Sequence, residues 1–112
     1  MDCIFCEIVA GRLGSDQVYS DDRVIAFRDI NPAAPVHVLI VPRRHVESLL
    51  DVDAVDAGLP TAMHRAVVEV ARRLGIAETG FRVIINNGEG AGQTVGHLHY
   101  HVLGGRTLSE LL

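Results

Sequence analysis

Three histidines alternate with apolar or aromatic residues in His97-Leu98-His99-Tyr100-His101. In an extended chain, residues two apart share a face and lie about 6.8 Å apart. The spacing therefore predicts a strand over His97–Leu103, with three imidazoles on one face and Leu98, Tyr100 and Val102 facing the core. Three imidazoles in a row have no packing advantage over Val or Ile, so chemistry is the better account. A single metal ion bound by all three is a poor fit. The outer pair would be stretched over about 13 Å, against metal–nitrogen bonds near 2 Å. Anion binding is open to such a row. So is attack by one imidazole nitrogen on phosphorus, with neighbours donating hydrogen bonds. Near neutral pH an imidazole is partly uncharged, since its reference pKa is about 6.5, so a free nitrogen is available.

His37 lies in Val36–Val41, a β-rich and nearly all-apolar run stopped by Pro42. On that strand it shares a face with Leu39 and Val41 and is expected to be buried. A buried imidazole needs partners for both ring nitrogens, and orienting a catalytic histidine would satisfy one. A second grouping is Cys3-x-x-Cys6, which can chelate a soft divalent ion. In a reducing compartment such a pair is more often metal-binding or redox-active than a structural disulfide. Asn87 to Gly96 is too glycine-rich to be regular. Its backbone N–H groups can approach a phosphate closely because glycine has no Cβ.

These residues need elements to hold them. Residues 3–10 suit a short helix ending at Gly11. Val24–Asp29 alternates as a strand, and Asp29-Ile30-Asn31-Pro32 reads as a turn. Leu59, Ala62, Met63, Ala66, Val67, Val70, Ala71 and Leu74 form the apolar stripe of one long helix. Pro60 belongs in its first turn, Arg72 and Arg73 suit its negative end, and Gly75 suits the residue past it. Phe81–Asn87 is a further strand. The expected architecture is α+β: one domain over residues 1–112, an antiparallel sheet with one long helix and a short N-terminal helix.

Composition narrows the function. The chain has 112 residues, 48% hydrophobic and 21% charged, with net charge −4 and no Trp. No global positive field draws in nucleic acid, and Arg43-Arg44 reads as a solvated pair. Stacking platforms for single strands are absent from so aromatic-poor a chain. The longest clean apolar run, Val38–Val41, is far short of the roughly 20 residues a membrane span needs. The first residues lack the features of a secretory signal, so a cytoplasmic location is expected. His64, beside Arg65 and Glu69 on the polar side of the long helix, reads as surface.

The sequence resembles the histidine triad family, and within it the Hint branch. His97-Leu98-His99-Tyr100-His101-Val102-Leu103 matches the triad motif, His-x-His-x-His followed by two apolar residues. Phe27–Pro32, Pro35-Val36-His37, Val41–His45, Asn86-Asn87-Gly88, Gly92–Val95 and His101–Arg106 extend the match over nearly the whole chain. Thr94 stands where the family commonly has Ser, which keeps the hydroxyl. The family's aromatic and proline-rich ending is missing after Arg106, which bears on leaving-group choice.

The resemblance implies a HIT-like fold, a homodimer and a purine nucleotide site. It implies hydrolysis of purine nucleoside phosphoramidates, typically adenosine 5'-phosphoramidate to AMP and ammonia. Dinucleoside polyphosphate hydrolysis, or a nucleotide-binding regulatory module with incidental turnover, are the alternatives. It makes His99 the nucleophile on the α-phosphorus, His101 a phosphate contact, and His37 the group that fixes ring orientation and tautomer. Asp29 would hold the ribose hydroxyls. Asn86, Gly92, Gln93 and Thr94 would complete the nucleotide pocket. Some bacterial members hold zinc, which implies a closed, structural Zn²⁺ site of Cys3, Cys6, His45 and His97. No organic cofactor is implied.

Overall fold

The computed structural model describes residues 3–109. Its frame is a five-stranded antiparallel sheet: β1 (Gln17–Ser20), β2 (Val24–Arg28), β3 (Val36–Pro42), β4 (Phe81–Ile85) and β5 (Tyr100–Gly104), in the spatial order β1-β2-β3-β5-β4. Three helices accompany it: α1 (Ile4–Val9), α2 (Val52–Val55) and α3 (Leu59–Arg73). The expected α+β architecture is borne out, including the long helix and the short N-terminal one.

Both faces of the sheet are covered, which explains why β2 and β3 read as near-continuous apolar runs rather than clean alternations. On one face, Val24, Ala26, Val38, Ile40 and Val102 pack with Leu59, Met63, Ala66 and Val70 of α3. On the other, Ile25, Phe27, Leu39 and Val41 pack with Phe5 and Ile8 of α1. Each large side chain buried in these layers contributes about 1.5–3 kcal/mol. The stripe of α3 lies where its 3.6-residue period puts it. Pro60 sits in the first turn, Arg72 and Arg73 in the last, and Gly75 follows at φ +74°. Gly11, after α1, has φ +77°.

Three details depart from the sequence-based expectation. The strand expected from His97 begins only at Tyr100, whose partner is Ile40. Continuing the register would set Leu98 against Pro42, which has no N–H to give a ladder. Leu98 instead donates its N–H to Val46 O (2.6 Å), and His97 turns its ring toward Pro42. Leu98, Tyr100 and Val102 nevertheless face the α3 core as expected. The strand expected over Phe81–Asn87 ends at Ile85, because Asn87 turns its side-chain oxygen to Leu49 N–H (2.7 Å). The short edge strand β1 and the helical turns over Leu49–Val55 carry little apolar pattern of their own. No helix among the described residues is long and apolar enough to cross a membrane.

Candidate active site and metal cluster

A cleft of about 430 Å³ opens on the α1 side of the sheet. This lies within the range of small-molecule sites, roughly 300–1,000 Å³. Its walls are apolar: Phe5 and Ile8 from α1, Phe27 from β2 and Leu39 from β3. Phe27 and Leu39 are direct cross-strand partners on the face away from α3. Its polar lining includes Asp29, Thr94, His99 and His101.

Bonds to backbone groups fix which nitrogen carries the hydrogen in the neutral rings of His99, His37 and, through His37, His101. His99 Nδ1 lies 2.9 Å from the backbone oxygen of His97. A carbonyl can only accept, so Nδ1 carries the hydrogen and Nε2 keeps its lone pair. The Phe5 and His99 rings pack in a T-shaped arrangement at a centroid distance of 5.1 Å. His99 is thus buried, oriented, and left with one basic nitrogen.

His101 is held in the opposite tautomer. The Ala33 N–H donates to His37 Nδ1 at 3.0 Å, so His37 carries its own proton on Nε2. That Nε2–H faces His101 Nδ1 at 2.9 Å and donates to it, leaving His101 with its hydrogen on Nε2. Asp29 Oδ2 stands 3.6 Å from His37 Nε2. Burial pushes the His101 imidazole down to about 4, with His99 and His37 adding to the shift and Asp29 opposing it. His37 is lowered as well, by burial against the opposing pull of Asp29. Both rings are therefore neutral near pH 7. Asp29, His37 and His101 lie close enough to suggest a metal site. The Ala33 bond argues against one, because it occupies the only lone pair His37 has.

The second cluster has the reverse logic. His97 is fully buried, and its Nε2–H donates to Pro42 O at 2.8 Å. The lone pair therefore sits on Nδ1, which faces Cys3 Sγ at 3.3 Å and Cys6 Sγ at 3.5 Å. Cys6 Sγ also lies 3.3 Å from His45 Nδ1. Two thiols converging on one lone pair cannot both hydrogen-bond well to it, whereas a metal ion satisfies all three. Zinc bonds of about 2.3 Å to sulfur and about 2.0 Å to nitrogen at tetrahedral angles would set sulfur and nitrogen about 3.5 Å apart. All four ligand atoms lie within 4.8 Å of one another, so Cys3, Cys6, His45 and His97 could hold a metal. Burial raises the Cys6 thiol, and the neighbouring Cys3 adds to it. Metal binding would displace that proton.

The remaining expected residues are distributed unevenly. Thr94 is exposed and lines the cleft. Gln93 does not line it: its Oε1 accepts from Gly88 N–H (2.8 Å), and its Nε2 donates to Glu47 O (2.8 Å) and Val95 O (3.0 Å). Gly92 makes the turn at φ +85°, and its N–H donates to Glu89 O (3.0 Å). Asn86 follows β4 directly, half-buried, outside the cleft lining. His64 is exposed on α3. Sequence reasoning did not anticipate the cleft wall from α1, nor the Ala33 N–H and Pro42 carbonyl that set the tautomers. Phe5 and Ile8, three apart on a short helix, were the available signal.

Comparison with known proteins decides the family. The model of the HIT domain matches residues 11–108. The chain belongs to the HIT family. Among curated relatives, purine nucleoside phosphoramidase of Escherichia coli is 42% identical over 111 residues, covering 99% of this chain and 93% of that protein. Protein HitA of Neisseria gonorrhoeae is 42% identical over 103 residues, covering 92% of this chain and 95% of that protein. The histidine triad protein of Clostridium difficile superposes with a TM-score of 0.93 at 46% identity, covering 100% of this chain and 97% of that one. A HIT family hydrolase of Clostridium thermocellum gives 0.93 at 49% identity, covering 99% and 96%. The expectation of a histidine triad enzyme accords with these relatives.

Proposed function

We propose that this HIT protein is a nucleotide hydrolase that cleaves purine nucleoside phosphoramidates at the α-phosphorus, converting adenosine 5'-phosphoramidate to AMP and ammonia. The observation that carries this reading is the His99 tautomer. With Nδ1–H bonded to the His97 carbonyl, Nε2 is the one lone pair His99 offers, and His99 lines the cleft. The relative named purine nucleoside phosphoramidase adds support for the substrate class.

In the proposed reaction His99 Nε2 attacks phosphorus, the P–N bond breaks, and the nitrogen leaves as ammonia with a proton taken from solvent, which the attacking water of the second step returns. Water then cleaves the nucleotidyl-histidine to AMP and the free imidazole. Such transfer depends mainly on positioning and charge stabilisation. His101 Nε2–H donates to a phosphate oxygen, and the Thr94 hydroxyl adds a second donor. Asp29 receives the ribose hydroxyls, and the apolar walls hold the purine. His37 acts through His101. Gln93 and Gly92 shape the loop that carries Thr94, with Asn86 at its base. Zn²⁺ is the proposed occupant of the four-ligand cluster, in a structural role. The working form is proposed to be a homodimer, which sedimentation would register as twice the chain mass.

The test offers adenosine 5'-phosphoramidate and a diadenosine polyphosphate to wild type and to His99→Ala. AMP should form faster from the phosphoramidate, and His99→Ala should lose about a thousandfold or more of that rate. AMP binding without turnover of either compound would defeat the enzyme reading. Preference for the polyphosphate would reassign the substrate. Full activity of His99→Ala would remove the mechanism.

A further inference from the structure

We propose that the metal cluster controls the nucleophile: an ion held by Cys3, Cys6, His45 and His97 fixes the backbone carbonyl that sets the His99 tautomer. This inference rests on the reading of His99 as the attacking group.

The link runs through one residue. His97 offers its ring to the cluster and its carbonyl to His99 Nδ1, so the same residue belongs to both sites. Residues 97–99 lie outside the strand ladder, whose last pair is Ile40 with Tyr100. What positions them is the Leu98–Val46 bond and the anchoring of the His97 ring between Pro42 O and the two thiols. Freeing one end of that ring leaves the carbonyl a poorly held acceptor.

A second connection runs through α1. This helix has six residues, too few for stability by itself, and Cys3 is its N-cap. Phe5, between the two cysteines in sequence, makes T-shaped ring contacts with His97 (5.8 Å) and His99 (5.1 Å). Phe5 and Ile8 also form cleft wall. An ion that joins Cys3 and Cys6 to β3-side His45 and to His97 therefore fastens the helix that covers the nucleophile. Among the described residues no disulfide supplies this bracing, since both cysteines are free.

The coupling is read most directly by long-range ¹H–¹⁵N spectra of histidine-labelled protein, zinc-loaded and chelator-stripped. The loaded protein should show His99 as a single Nδ1–H tautomer. On stripping, His99 should shift to a mixture of both tautomers while the sheet amides keep their dispersion, and affinity for AMP should fall by about fivefold or more. An unchanged His99 tautomer with unchanged AMP affinity overturns the coupling and leaves the hydrolase reading intact. A tautomer shift in a protein that never binds AMP supports the coupling and counts against the hydrolase reading. Should stripping unfold the sheet, Co²⁺-loaded protein provides the reading in the folded state. Coupling is reciprocal, so AMP titration should shift the cobalt d–d bands, and bands that stay fixed through saturating AMP overturn the proposal.

Discussion

His99 and His101, with ring centroids 5.0 Å apart, are held in opposite tautomers. His99 donates its Nδ1–H to the His97 carbonyl. His101 accepts a hydrogen bond at Nδ1 from His37 Nε2–H, and His37 is itself set by the Ala33 N–H. Two chemically identical side chains thereby acquire different capacities, one a lone pair and the other a donor. Each assignment traces to a backbone group, a carbonyl in one case and an N–H in the other. Backbone geometry changes little with pH, so the division persists wherever the rings stay neutral.

The first expectation concerns this relay. His37→Ala deletes the donor to His101 Nδ1 and frees His101 to rotate or exchange tautomers. Misplacing a single donor can cost up to about a hundredfold in rate. Steady-state kinetics with adenosine 5'-phosphoramidate should show kcat lowered by roughly ten- to hundredfold, with a smaller change in KM. A variant as fast as wild type would show that His37 has only a packing role.

The depressed histidines carry a stability signature. Folded His101 titrates at about 4, held down first by burial and then by His99 and His37. The unfolded residue titrates near 6.5. Between these values the unfolded chain binds a proton that the folded chain refuses, so stability rises with pH and falls on acidification. His37, lowered by burial, acts in the same direction. Thermal melts should therefore move down as pH falls from about 6.5 toward 5, before most carboxylates titrate. His101→Gln should flatten that slope, and a slope equal to wild type would contradict the shift.

The sequence made some of this legible and hid the rest for identifiable reasons. Helix α3 followed from a complete stripe, Leu59 to Leu74, because its packing and its local period agree. The four cluster residues could be grouped because Cys3 and Cys6 have few other uses in such a chain, although the grouping leaned on family likeness. The uniform histidine strand did not survive. His97 leaves the sheet through a tertiary bond to Pro42 O, which no local period encodes. Gln93, expected in the nucleotide pocket, is instead committed to three backbone groups. Side-chain bonds to distant backbone are invisible to pattern reading, and they decide the fine structure of this site.

Gln93 yields a prediction that separates shape from chemistry. Its amide ties Gly88, Glu47 and Val95 together through bonds of 2.8, 2.8 and 3.0 Å. Such bonds contribute about 0.5–1.5 kcal/mol each in net terms. Gln93→Ala should lower the melting temperature and loosen the loop carrying Thr94 and Val95 at the cleft. KM should rise more than kcat falls. A selective loss of kcat would instead mean that the amide reaches the reacting phosphate.

Gly105 tests the support at the other end of β5. It sits at φ +91°, where an L side chain is strained, and an added Cβ would meet Pro35 Cβ at 2.9 Å and Val36 N at 3.4 Å. Pro35 and Val36 lead directly into His37, so the turn after β5 presses on the segment that positions the relay. Gly105→Ala must either twist its own backbone or push Pro35 away. The backbone strain alone costs about 1–3 kcal/mol. A loss of several degrees in melting temperature is expected, since about 1 kcal/mol moves a domain of this size by roughly 4–8 °C. Displacement of Pro35 should also reach the Ala33–His37 bond, so the ¹⁵N shift of His37 Nδ1 should move with it. A variant that melts lower with an unmoved His37 would place the strain in Gly105 itself, and one that melts like wild type would rule out the close approach.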